Sequence, residues 1–448
     1  MSGAPVVVLG AGCAGLSAAR RLRAKGRRVI LVEAADRVGG LAGGIALGGD
    51  IYEYGPHIFH TTDAAVMADI KALMGDELLP YERTIQIKFL GNYFKFPLSI
   101  PDVLQKLPLT TVIHAGFSFL FHFTKGIFIR PEVENSETLL RRYYGDVLYR
   151  LFFKDYIERV WGVSPAQFSP SFARERIPRF DILDLAAKLR ARVSRGRVEG
   201  FVEKVEGELW TTKRGFSLIC ERMAEDFKGK GGELRLKTRA TKILVEGGRV
   251  VAVELEGGER VACSGLINTL ALPDAVAMLS PAPSPEATAG AAALRFRAIV
   301  FVGIKIRRPK VLSASFMYFR EHSFNRVTDL SHFGFEMNPP SSTLLIAEIT
   351  CDPKDALWTD DAAAIEAATA DLVREGLIGR SEILSAHAFR ARHGYPVYAL
   401  GYEENLKAAL TAFSTLANAQ TAGRQGRFQY VNTHIAMRMG TDAAEALA

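Results

Sequence analysis

An apolar run, Val6-Val7-Val8-Leu9, passes straight into Gly10-Ala11-Gly12-Cys13-Ala14-Gly15, and this junction limits the possible folds more than any other stretch of the chain. The glycines stand at G-x-G-x-x-G spacing. An alanine-rich helical pattern follows, and a second apolar run, Val29-Ile30-Leu31-Val32, ends on Glu33. A strand, a glycine turn, a helix and a second strand closed by an acid make up the opening of a Rossmann-type α/β unit. Gly10 permits the tight turn, Gly12 lets the backbone approach a pyrophosphate, and Gly15 packs helix against strand. The helix N-terminus then faces the anion. Glu33, roughly 20 residues on, is placed to accept from ribose hydroxyls. The sequence therefore predicts a dinucleotide site.

The acid is followed by Asp36-Arg37-Val38-Gly39-Gly40. A glycine pair alone reads as a surface turn. In this context it resembles the second glycine signature of the amine-oxidase-type flavoproteins, a superfamily that includes amine oxidases, protoporphyrinogen oxidases, phytoene desaturases and UDP-galactopyranose mutases. The resemblance implies FAD. Its ribityl chain and flavin extend past the pyrophosphate and need another side-chain-free stretch, so Arg37, Gly39 and Gly40 join Gly10, Gly12, Gly15 and Glu33 as expected cofactor residues.

A chain of 448 residues exceeds one simple core, and two intertwined domains are expected. Residues 1–80, 201–290 and 401–448 are assigned to a discontinuous Rossmann-type FAD-binding domain that ends in a C-terminal helix. Residues 81–200 (a hairpin, then helices) and 291–400 (a sheet) are assigned to an inserted, mixed helical and β-sheet substrate domain. The hairpin is read at Ile85–Phe89 and Tyr93–Phe96, strands at 233–270 and 294–351, a helix near 360–375, and the Pro- and Ala-rich stretch 281–293 as a connection.

The net charge of +7 suits anionic substrates, but the basic residues are scattered and no nucleic-acid motif is present. Cys13, Cys220, Cys263 and Cys351 form no C-x-x-C, which argues against a zinc site or disulfide framework and fits a reducing cytoplasm. The N-terminal apolar run has no basic residues before it and feeds the cofactor turn, so it does not read as a signal peptide. Thr111–Ile129 is aromatic-rich but broken by His114, His122 and Lys125. A span needs about 20 nearly unbroken apolar residues. A buried or partner-facing helix is expected, with interfacial membrane contact as the alternative and no integral span.

Tyr54-Gly55-Pro56-His57-Ile58-Phe59-His60-Thr61 is similar to a stretch of the UDP-galactopyranose mutases. The resemblance, in ordered matches over about three-quarters of the chain, places Gly55 and His57 beside the flavin ring; unaided, His57 reads as a core imidazole. By the same resemblance Phe152 and Tyr156, four apart and so on one helical face, stack on the substrate base, and Trp161 borders the sugar-diphosphate pocket. Arg176 (in Arg176-Ile177-Pro178) and Arg326 (in Asn325-Arg326-Val327-Thr328-Asp329) grip the diphosphate, while Tyr395 and Tyr430 hydrogen-bond it. Guanidinium forks bind such oxygens bidentately, each contact contributing roughly 1.5–3 kcal/mol. Gly423-Arg424 through Asn432 resembles the closing signature: Arg424 would neutralise the FAD pyrophosphate, and Asn432 or Thr433 would cap a last helix whose positive end faces the flavin. Asn432 and His434 depart from the family's aspartates, and residues 213–270 are longer than in compact mutases and resemble the redox members.

The resemblance implies a flavin-dependent sugar-nucleotide pyranose–furanose mutase, in which reduced flavin N5 attacks the anomeric carbon. The alternative is an FAD-dependent oxidoreductase of the amine oxidase or protoporphyrinogen oxidase type. Expected partners are a sugar-nucleotide diphosphate and, in a homodimer, a second copy of the chain.

Overall fold

The computed structural model describes residues 3–96, 102, 105–128, 133–177 and 207–447. Five short strands form a parallel sheet in the order Glu233–Arg235, Val29–Val32, Val6–Leu9, Gly265–Asn268, Ala419–Thr421. The order reverses at Val6–Leu9, so the glycine turn after Leu9 sits at the topological switch point where doubly wound sheets bind ligands. Every side chain of the first two strands is buried, as a sheet covered on both faces requires. Val6, Val8, Val29 and Leu31 pack with the helices Cys13–Ala24, Ser217–Gly229 and Thr433–Leu447. Val7, Leu9, Ile30 and Val32 pack with a four-stranded sheet ordered Arg260–Ala262, Arg249–Leu255, Ala240–Glu246, Leu279–Ser280. Each such side chain contributes about 1.5–3 kcal/mol on full burial. This double covering holds the cofactor turn rigid from beneath.

A seven-stranded sheet forms the second body, ordered Ile383–Pro396, Phe296–Ile306, Thr343–Cys351, Arg326–Asp329, Phe316–Phe319, Ile85–Phe89, Asn92–Lys95. Its alternation is clean. Val300, Val302 and Ile304 pack with Ala364, Ala368 and Leu372 of the helix Asp361–Arg374, whereas Ile299, Phe301 and Phe316 join Tyr52 and Phe389 on the opposite face. The fold is thus a Rossmann-type α/β unit combined with a mixed helical and β-sheet unit, as the sequence implies.

Two local expectations are corrected. The hairpin turn is Leu90-Gly91, both at positive φ (47° and 72°), so Asn92 begins the second strand and its amide donates to the Leu90 carbonyl at 3.0 Å. Residues 285–293 are a helix rather than a plain connection: Ser284 caps it, Pro285 occupies its first turn, and its alanines favour the helical state. The apolar helix, expected to be buried or partner-facing, runs Leu109–Phe128 and leaves one side exposed.

Candidate active site

The glycine turn is built as its sequence requires. Gly10 takes φ +93°, and a Cβ on Gly15 would stand 1.8 Å from the Gly10 carbonyl oxygen. The second glycine pair closes over the first: the Gly39 N–H donates to the Ala11 carbonyl at 2.8 Å, and Gly12 bridges Gly39 in parallel. Helix Cys13–Ala24 starts from Gly12 with no side-chain cap, which leaves its first N–H groups for a ligand or solvent. Glu33 receives the Ala11 N–H on one carboxylate oxygen and the Ala35 N–H on the other, both at 2.8 Å. Each oxygen keeps a second acceptor position for a ribose hydroxyl. Arg37 donates to the Tyr54 hydroxyl at 2.9 Å and so links the second glycine loop to the 54–57 segment. A side-chain-free cradle, an uncapped helix N-terminus and an acid closing the second strand fit the adenosine diphosphate half of FAD.

Beyond the cradle lies an open cleft. His57, Arg326, Tyr395, Arg424, Tyr430, Asn432 and Thr433, all singled out from the sequence, line it. Arg326 forms a bidentate pair with Glu348, Nε and Nη2 donating at 2.6 and 2.8 Å. Burial alone would lower the Arg326 pKa, but the neighbouring carboxylate holds it well above its ordinary value. Gly55 makes room for this pair: it takes φ +88°, and a Cβ there would approach Glu348 Oε1 to 2.4 Å. Burial, and then the fields of Arg326 and Arg424, push His57 down to about 4, so its imidazole is neutral near neutrality.

Tyr395 and Tyr430 meet edge to face at 5.1 Å, and the Arg424 guanidinium lies over their rings at 5.4 and 4.0 Å. Burial drives the Tyr395 phenol well above its usual range, which keeps it a hydroxyl donor. Gly423 touches Ala14 at the start of the first helix, so Arg424 springs from the cradle and reaches the tyrosines. Helix Thr433–Leu447 begins in the cleft wall, the Ala436 N–H donating to the Asn432 carbonyl at 3.0 Å. Its positive end therefore points at the cleft.

The aromatic platform differs from expectation. Residues 149–154 form a π turn, whose extra residue breaks the four-residue register, and Phe152 and Tyr156 diverge. Phe152 packs on Phe89 at 5.1 Å, Tyr156 meets Tyr318 edge-on at 6.3 Å, and neither is among the lining residues. Trp161 also lies outside the lining: it packs on Phe172 at 4.6 Å and reaches the cleft only through Tyr395, 6.0 Å away. Arg176 ends the helix Pro170–Arg176, and its side chain lies outside the described residues, as does Pro178.

Sequence reasoning overlooked Glu348 and Arg83, which both line the cleft. Glu348 left a signal, since it is the one charged residue in the buried strand Thr343–Cys351 and a buried acid requires a partner. Arg83 left none. Among the described residues, three guanidinium groups and a single carboxylate thus line the cleft.

Residues 8–73 match an NAD(P)-binding Rossmann-like domain, and residues 198–432 match the family described as flavin containing amine oxidoreductase. The chain is 25% identical over 187 residues to a protein named "Probable UDP-galactopyranose mutase" of Klebsiella pneumoniae, covering 41% of this chain and 48% of that one. It is 24% identical over 176 residues to the dTDP-fucopyranose mutase of Escherichia coli (39% and 45%) and 26% identical over 297 residues to a phytoene desaturase of Cercospora nicotianae (63% and 47%). The chain spans about half the length of these curated relatives. Among solved structures, reduced UDP-galactopyranose mutase superposes with a TM-score of 0.83 at 18% identity, covering 99% of this chain and 94% of that one. Cyclohexylamine oxidase from Brevibacterium oxydans gives 0.68 at 17%, covering 99% and 98%. At such identities the superpositions establish the fold.

Proposed function

The chain belongs to the flavin containing amine oxidoreductases, and from that premise we propose that it is an FAD-dependent sugar-nucleotide pyranose–furanose mutase. One observation carries the reading. Among the described residues, three arginines face one carboxylate in the cleft, beside two tyrosine hydroxyls and a helix N-terminus. Such a surface attracts an anion and repels a protonated amine, and a polyene would find it too polar.

In this reading Arg326 and Arg83 bind the diphosphate, with Arg176 as the further arginine the family resemblance nominates. Tyr395 and Tyr430 orient the diphosphate oxygens through their hydroxyls. Glu348 fixes the Arg326 fork so that binding costs little side-chain ordering. His57, held neutral, adds no charge against the flavin edge. When bound in its reduced state, the flavin supplies the N5 nucleophile for the anomeric carbon. The N-terminus of Thr433–Leu447 favours a negative charge on that ring, by about 0.3–1 kcal/mol at an exposed site and more when desolvated.

The test uses the purified flavoprotein reduced with dithionite under nitrogen and supplied with UDP-galactopyranose, then other sugar nucleotides. The furanose should form catalytically with no net consumption of electrons. The redox alternative is favoured by the longer match to phytoene desaturase. Substrate-dependent peroxide or acceptor reduction, with no ring isomerisation, would establish that alternative.

A further inference from the structure

The helix Leu109–Phe128 presents two unlike sides. Its inner side is fixed to the helix Ser136–Leu148. Ala115 is buried, and the Ser118 hydroxyl oxygen accepts the Asp146 and Val147 N–H groups at 2.8 and 3.3 Å. Gly145, at φ +74°, lets the two backbones touch, since a Cβ there would lie 2.6 Å from the Phe119 nitrogen. The outer side is apolar and open: Leu109 is 73% exposed, Phe117 72%, Phe121 60% and Leu120 57%, with Ile113 and Phe123 also exposed. At 100° per residue these six side chains fall within an arc of about 160°. A contiguous apolar face of this kind marks an interaction surface rather than scattered surface residues.

Charge indicates what covers it. Between Asp102 and Glu132 the sequence has no acid, while Lys106, Lys125 and Arg130 stand among the apolar residues. Lys106 pairs with Asp102, and Lys125 is exposed near the helix end. The whole chain carries +7. A second copy seated here would bring like charge to like charge, whereas an anionic plane meets complementary charge. Among the described residues no helix is long and apolar enough to cross a membrane, and this one is tied along its inner side. Phenylalanine and leucine on one side, with a lysine and no acid in the helix itself, is the pattern of a helix that lies in the headgroup plane.

We propose that the helix Leu109–Phe128 docks the protein on an anionic lipid surface, its Leu109–Phe117–Phe121 face entering the headgroup region. The docking is independent of the reaction in the cleft.

Flotation of the intact flavoprotein with vesicles tests this. Protein should float with vesicles of mixed phosphatidylcholine and phosphatidylglycerol, stay behind with phosphatidylcholine alone, and be released by added salt. Phe117→Glu/Phe121→Glu should abolish flotation, and Lys125→Gln should weaken it about fivefold. Both variants should keep the wild-type flavin spectrum and melting temperature, because these side chains are exposed. Failure to float, or equal flotation with both vesicle types, overturns the proposal. So does a dimer in solution that Phe117→Glu/Phe121→Glu dissolves while wild type ignores vesicles, an outcome that would assign the face to a second copy.

Discussion

Replacing the Arg326–Glu348 pair one side at a time and then both together tests the reading of the cleft most directly. The side chains are 18% and 4% exposed, and two hydrogen bonds join them at 2.6 and 2.8 Å. Arg326→Met strands the Glu348 carboxylate in the more enclosed position, at a cost of about 3–5 kcal/mol. Glu348→Leu strands the guanidinium, which retains the Phe316 and Tyr318 rings at 5.5 and 5.7 Å and access to the cleft. That loss should be smaller, about 1–3 kcal/mol. Arg326→Met/Glu348→Leu leaves no stranded charge and should recover most of the stability, giving a coupling of about 3–7 kcal/mol, close to the sum of the single losses. Urea denaturation followed by flavin fluorescence measures each corner of the cycle. UDP titration then separates stability from binding. The double variant should be folded yet bind UDP about 10–150-fold more weakly, the loss of one charge-assisted fork of roughly 1.5–3 kcal/mol. Additive stability losses, or wild-type UDP affinity in the double variant, would refute the argument.

Two pH effects of opposite sign follow from buried groups. Burial pushes Glu53 up to about 8 from an ordinary 4.5, so the folded state keeps a proton that the unfolded chain releases. Stability should fall as pH rises through that window, by up to about 1.4 kcal/mol per pH unit. Glu53→Gln keeps an acceptor for the Ser217 N–H and should out-melt wild type increasingly toward pH 8; parallel melting curves would count against this. His57 is pushed down to about 4 from 6.5, so the unfolded chain binds the extra proton and stability should drop as pH falls across that interval. His57→Asn should flatten the acid limb, and an unchanged slope in acid melting curves contradicts the assignment. Gly15→Ala sets a methyl 1.8 Å from the Gly10 carbonyl oxygen and should yield protein without bound flavin, read from its visible absorbance. Stoichiometric flavin in that variant would rule out the cradle.

The cradle was legible because its chemistry is local: glycine spacing, flanking apolar runs and a closing acid all lie within 40 residues of the N-terminus. The Arg326–Glu348 pair was not, although both residues sit in recognisable strands. They face each other as cross-strand partners in the antiparallel register of Arg326–Asp329 and Thr343–Cys351. A one-residue slip would send one of them to the opposite face, and register is a property of the assembled sheet. The aromatic pair was illegible for a different reason, although Tyr156 still lies in the field of Arg326, Tyr430 and Glu348. Four-residue spacing puts Phe152 and Tyr156 together only in an unbroken α-helix, and no periodicity announces a π turn at 149–154. The helix at 285–293 is masked by composition, because the proline- and alanine-rich stretch around the Ser284-Pro285 start signal has the look of a linker.

The position of Gly55 explains how one superfamily scaffold accommodates either reading of the reaction. The 54–57 loop leaves the cofactor-binding unit, and Glu348 belongs to the seven-stranded sheet, yet Gly55 lets them approach until only a missing Cβ separates them. The acid is thereby held against the 54–57 loop while both its oxygens are engaged by Arg326. An acid standing alone in that place would draw a cationic amine toward the cofactor. Paired, it presents the outward edge of a guanidinium instead, an edge suited to an anion. The proposed sign of the ligand thus rests on what sits opposite Glu348 on the neighbouring strand, and the arginine there is the residue on which the mutase reading depends.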